Sequence, residues 1–125
     1  MAAAIVMRTR RYPVPGTEND VDKLLIKLGL PVYLAGFEYI KAIIEMKRGG
    51  LMVWGDMTNE VYDAVAVRYN KTPRIVERNI RTAIKAMFAS VDHSELKETL
   101  GVPQGMHVNR ITPINFIALV CKLAG

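Results

Sequence analysis

Residues 72–85 constrain the fold more than any other stretch. At about 100° per residue, Val76, Ile80, Ala83, Ile84 and Met87 fall on one side of a helix. Arg74, Arg78, Arg81 and Lys85 fall on the other, spaced i, i+4, i+7 and i+11. The pattern predicts an amphipathic helix with a basic solvent face. Thr72 is placed to cap it with its hydroxyl, and Pro73 takes the first helical position, where no amide hydrogen is needed. Upstream, residues 58–69 carry a second helical pattern with Val61, Val65, Ala66 and Tyr69 on one face, and Asn70 and Lys71 separate the two. Two short helices joined by a tight polar turn, the second pointing cations away from the core, fit a helix-turn-helix.

Such a helix suits duplex DNA. It fits the major groove, where arginine forks match guanine O6 and N7, while lysines and the helix N-terminus suit phosphate oxygens. Arg78 and Arg81 are the candidates for base contacts, and Lys71, Arg74 and Lys85 for the phosphate backbone. Glu77 lies beside the stripe. A carboxylate facing a polyanion is unfavourable unless it accepts a hydrogen bond, as from cytosine N4, or steers Arg78 or Arg81 from within the protein. The plainer alternative is a solvated charged face on an ordinary helical hairpin.

Several separated segments together resemble a known family. Asn70, Thr72, Val76-Glu77-Arg78, Ile80-Arg81 and Ala83-Ile84 are similar to the recognition region of the stage-zero sporulation response regulator, protein A. The likeness extends upstream through Leu28-Gly29-Leu30-Pro31 and Gly36-Phe37-Glu38-Tyr39-Ile40, and downstream through Thr112-Pro113 and Asn115-Phe116-Ile117-Ala118. It covers roughly residues 18–124. The resemblance implies a DNA-binding effector domain of the winged-helix-like, response-regulator effector superfamily, acting on promoter DNA in sporulation. It also implies head-to-tail homodimers on DNA, paired near residues 112–124. Arg78, Arg81 and Glu77 match the family's recognition motif position by position. Arg74-Ile75 departs from it: the family usually has serine-arginine there, so its operator sequence does not carry over. In the family this domain follows a phosphorylatable receiver domain. Here about 17 residues precede it, so the expectation is a stand-alone effector with no receiver domain if Met1 is the true start.

The rest of the chain fits one all-α domain. Its 125 residues are 50% hydrophobic, enough for a core, and the net charge of +5 favours an acidic partner such as nucleic acid. Residues 71–85 hold five cations and one anion, a local +4; residues 90–100 are locally −2. A single cysteine, Cys121, excludes an internal disulfide and fits a reducing cytoplasm, and nucleoid association would follow from DNA binding. Residues 1–17 read as an arm. Arg8, Arg10 and Arg11 could follow a DNA backbone or enter a minor groove, or belong to a solubilising tail. The apolar run 2–7 is too short to span a membrane.

Thr17 caps an expected helix over 18–28 with Val21, Leu24, Leu25 and Leu28 inward, ended by Gly29 and Pro31. A second helix is expected from 34 or 35 to 47, with Phe37, Ile40, Ile43 and Ile44 as its core face and Gly49-Gly50 as its stop. Trp54 reads as a core plug in the following linker. Asp92 and Glu95 form a capping-box pattern for a short helix to Leu100, closed by Gly101. Residues 102–111 read as loop. Thr112-Pro113 starts a last helix with Phe116, Ile117, Val120 and Leu123 inward. Six helices result, with no repeat and no strand-period stretch.

Enzymatic signals are weak. His93 and His107 have no ligand partners at metal spacing, Cys121 falls on an apolar face, and no phosphate-cradling glycine loop or cofactor motif is present. Two other functions remain open. One is a helical interaction module that engages a regulator or RNA polymerase. The other is an RNA or non-specific nucleic-acid binder.

Overall fold

The computed structural model describes residues 18–50 and 60–124. Arg8, Arg10 and Arg11, the Thr17 cap and Trp54 lie outside the described residues. Among the described residues six α-helices form the fold: α1 (Glu18–Lys27), α2 (Ala35–Arg48), α3 (Glu60–Tyr69), α4 (Pro73–Ser90), α5 (His93–Leu100) and α6 (Pro113–Ala124). A 3-10 turn, Val108–Arg110, interrupts the expected loop before α6. No strand occurs among the described residues.

Helix boundaries follow local chemistry. Thr72 accepts the Ile75 amide at 3.2 Å, Asp92 accepts that of Glu95 at 3.1 Å, and Thr112 accepts that of Asn115 at 3.1 Å. Each cap satisfies an amide that the first helical turn leaves without a partner. α1 and α5 both close on glycines at positive φ, Gly29 and Gly101. In each case the next amide reaches back to a carbonyl five residues earlier, Leu30 to Leu25 and Val102 to Lys97, which is the Schellman arrangement.

The core is aliphatic and belongs mainly to α2 and α4. Ile40, Ile43 and Ile44 of α2 and Val76, Ile80, Ala83 and Met87 of α4 are fully buried, with Phe116 and Ile117 of α6 packed in the same cluster. α4 packs principally on α2 and then on α3. Gly36 makes the α2–α4 approach possible. A methyl group there would collide with the Asn79 carbonyl oxygen and stand 2.7 Å from the Ala83 Cβ. α1 is tied to α2 by Lys41 and Asp22 at 3.1 Å. Burial acts to lower the Lys41 pKa, but the Asp22 hydrogen bond and charge, with Glu38 and Glu45, outweigh it and hold Lys41 above its ordinary value.

One expectation about packing is corrected and one buried residue was missed. Leu123 is 44% exposed rather than part of the core. The buried arc of α6 centres between Ile117 and Val120 and takes in Cys121, which leaves Leu123 about 90° away from its centre. Tyr62, not singled out from the sequence, is buried on α3.

Candidate nucleic-acid interface

The turn between α3 and α4 sets the geometry of the candidate site. α3 ends as a Schellman motif with Asn70 in the left-handed position, φ 57°. The Asn70 amide donates to the Val67 carbonyl at 3.3 Å and the Lys71 amide to that of Ala66 at 2.9 Å. Asparagine tolerates this conformation better than other residues with a side chain, apart from glycine. The Thr72 cap then starts α4 two residues later. The chain therefore reverses within a few residues, and the pair α3–α4 forms the helix-turn-helix expected from the spacing.

α4 continues five residues beyond Lys85, to Ser90. Its buried face is the one expected: Val76, Ile80, Ala83, Ile84 and Met87. On the opposite face Arg74, Arg78, Arg81 and Lys85 are all exposed, and Lys71 is exposed in the turn just before the helix. Glu77 is half-buried at its flank and accepts a hydrogen bond from the Arg81 guanidinium within an i,i+4 ion pair. Glu77 thus pairs with Arg81 and not with Arg78. Among the described residues no ion pair engages Arg74, Arg78 or Lys85. Their charges are therefore available to an anionic partner.

Tyr62 lies within electrostatic reach of the Glu77–Arg81 pair. Burial raises its pKa, the Glu77 charge raises it further, and Arg81 opposes both. Tyr62, Asp63, Pro73, Arg74 and Glu77 line a cleft of about 220 Å³ between α3 and α4. Asp63 is an acidic residue at the margin of the basic face that the spacing argument passed over. Two further residues share the exposed arc of α4 and were not placed in the site beforehand, Ile75 and Thr82. Their i and i+7 spacing was legible, but a search for cations alone overlooks them.

The geometry is that of an exposed, cationic helix packed on an aliphatic core. The model of the family described as Sporulation initiation factor Spo0A C terminal matches residues 21–123. The chain belongs to this family. The match spans α1 through nearly all of α6, so it covers the whole helical fold and not the helix-turn-helix alone. The Spo0A C-terminal family is a family of DNA-binding effector domains in sporulation and transcription regulation, not an enzyme class.

Other sequence candidates take ordinary places. His93 is exposed, and its Nε2 donates to the Phe88 carbonyl at 2.7 Å, so it closes the α4–α5 junction. His107 is exposed in the loop before the 3-10 turn. Cys121 is buried, and its thiol pKa is pushed up to about 11 by burial, with Lys47 opposing. A thiol that stays protonated at neutral pH is a poor nucleophile. No helix among the described residues is long and apolar enough to cross a membrane.

Proposed function

We propose that the chain is a sequence-specific transcription regulator that inserts α4 into the major groove of promoter DNA. The observation that carries this reading is the exposed face of α4, where Arg78, Lys85 and Arg74 have no ion partner among the described residues while the opposite face is sealed in the core. In this reading Arg78 and Arg81 contact base edges, with Glu77 aiming Arg81 through their shared hydrogen bond. Lys71, Arg74 and Lys85 hold the phosphate backbone, and Arg8, Arg10 and Arg11 add contacts from the arm. Action on the nucleoid in the cytoplasm follows from this role. The test is selection of duplexes from a random pool by the full chain in excess competitor DNA. Enrichment of a common motif is expected. Recovery of no shared motif would contradict sequence-specific binding, and absence of any duplex shift would favour a protein-only module that engages RNA polymerase or another regulator.

We also infer that two copies bind a repeated site. One short helix reads few base pairs, and a lone module buries only on the order of 600–1,000 Å² of protein surface. A groove of about 250 Å³ beside α6, lined by Val102, Met106, Ile111, Asn115, Ala118, Leu119 and Lys122, supports pairing through this region. Exposed Leu123 extends the apolar character of the terminal helix. Titration of the selected duplex in an analytical ultracentrifuge is expected to reach two chains per duplex. A saturated one-to-one complex would contradict pairing.

A further inference from the structure

The aliphatic residues Val76, Ile80 and Ile84 of α4 are at most 3% exposed, whereas Ile75 leaves 41% of its surface in solvent. A single exposed hydrophobic residue is common and by itself means little. Its position is what matters here. Ile75 stands in the first turn of α4, and its own amide is held by Thr72 Oγ1 at 3.2 Å, so the backbone at this point is fixed as helix. It precedes Arg78 by one turn and lies about 60° from it around the axis. The α3–α4 cleft takes in Arg74 and Glu77 but not Ile75. The branched side chain therefore faces outward on the same arc as the unpaired Arg78 guanidinium.

An apolar group at that place has one base-edge feature to reward it. The major groove presents hydrogen-bond donors and acceptors on all base pairs, but only thymine adds a methyl, at C5. We propose that Ile75 is a specificity-determining residue that packs against a thymine C5-methyl beside the base pair contacted by Arg78. This rests on the DNA-binding role proposed above and adds the base that one position reads. Ile75 and Arg78 then form a mixed pair, one reading a methyl by van der Waals contact and the other reading acceptors by hydrogen bonds.

The test uses the full chain and the duplex enriched by selection, with each thymine replaced in turn by deoxyuridine, which removes the methyl and leaves the hydrogen-bonding edge unchanged. One replacement is expected to weaken wild-type binding about three- to five-fold, the loss that fits one methyl returned to water. The same replacement is expected to have no effect on Ile75→Ala, or on Ile75→Ser as a second variant. The DNA arm needs no variant at all, so a folding defect cannot mask the result. If a motif is enriched but no thymine in it shows this loss, or the loss persists in both variants, the Ile75 assignment is overturned while sequence-specific binding stands. If selection enriches no motif, both fall together.

Discussion

Arg78 and Lys85 share charge sign and arc, yet a duplex distinguishes them. The arginine fork makes paired hydrogen bonds, while the lysine ammonium is a point charge on a flexible stem. Lys85→Ala is therefore expected to weaken binding to specific and random duplexes alike and to flatten the log–log salt slope by about one, as fluorescence anisotropy over a salt series would register. Glu77→Ala removes the partner of Arg81 and one of the anions flanking the stripe. It is expected to tighten binding to random duplex and relax the preference at one base position. Its effect on melting should be small, because an exposed i,i+4 pair is worth about 0.3–0.5 kcal/mol. A large loss of thermal stability would instead make the pair structural. At this scale the cations were legible, because spacing alone assigns them to one face. The choice of Arg81 over Arg78 by Glu77 follows the same logic, since residues four apart on a helix face each other and adjacent ones do not. Leu123 is the exception: its hydrophobicity pointed inward while its phase on α6 pointed outward, and phase prevailed.

The position of α4 as an element depends on residues outside it. Gly36 lets α2 approach the Asn79 carbonyl, and any side chain there has to push the helices apart. Gly36→Ala is expected to cost about 1–3 kcal/mol, the usual range for overpacking. It should also lower DNA affinity in the remaining folded protein, because α4 shifts relative to α3. Urea denaturation together with binding assays at low temperature separates the two effects. An unchanged midpoint would show that the interhelix approach is looser than the structure has it. The caps were readable beforehand, as Thr72-Pro73, Asp92 with Glu95, Gly101 and Thr112-Pro113 each carry their own local chemistry. The contact at Gly36 was not, because it joins residues 43 positions apart in sequence. The run of α4 beyond the basic stripe was legible as well, since Met87 already continues its apolar face. No glycine or proline lies between Lys85 and Ser90, so the helix runs on until the Asp92 cap starts the next one.

As a whole molecule the domain should tolerate alkali poorly. Folding raises the pKa of Cys121, Tyr62 and Tyr69 through burial, and that of Lys41 because the Asp22 contact outweighs burial. Each group thus binds its proton more tightly folded than unfolded. The stability this contributes is present below the ordinary pKa and is lost as pH rises through the folded one. For Cys121 that window runs from 9.0 to about 11. The melting temperature should fall across it, and less steeply in Cys121→Ala; an equally steep fall in the variant would assign the limb to the tyrosines and Lys41. The fold class was legible at this scale because half the chain is hydrophobic at helical spacing, whereas the groove beside α6 depends on loop and helix meeting and could not be read from either. The proposed function requires that the exposed face of α4 discriminate between DNA sequences. The sharpest check is the affinity of wild type and Arg78→Ala for the selected duplex and for a scrambled duplex of equal length. The expected result is a loss of ~1–3 kcal/mol on the selected duplex, a much smaller loss on the scrambled one, and unchanged melting. Wild-type affinity of the folded variant for both duplexes would contradict it.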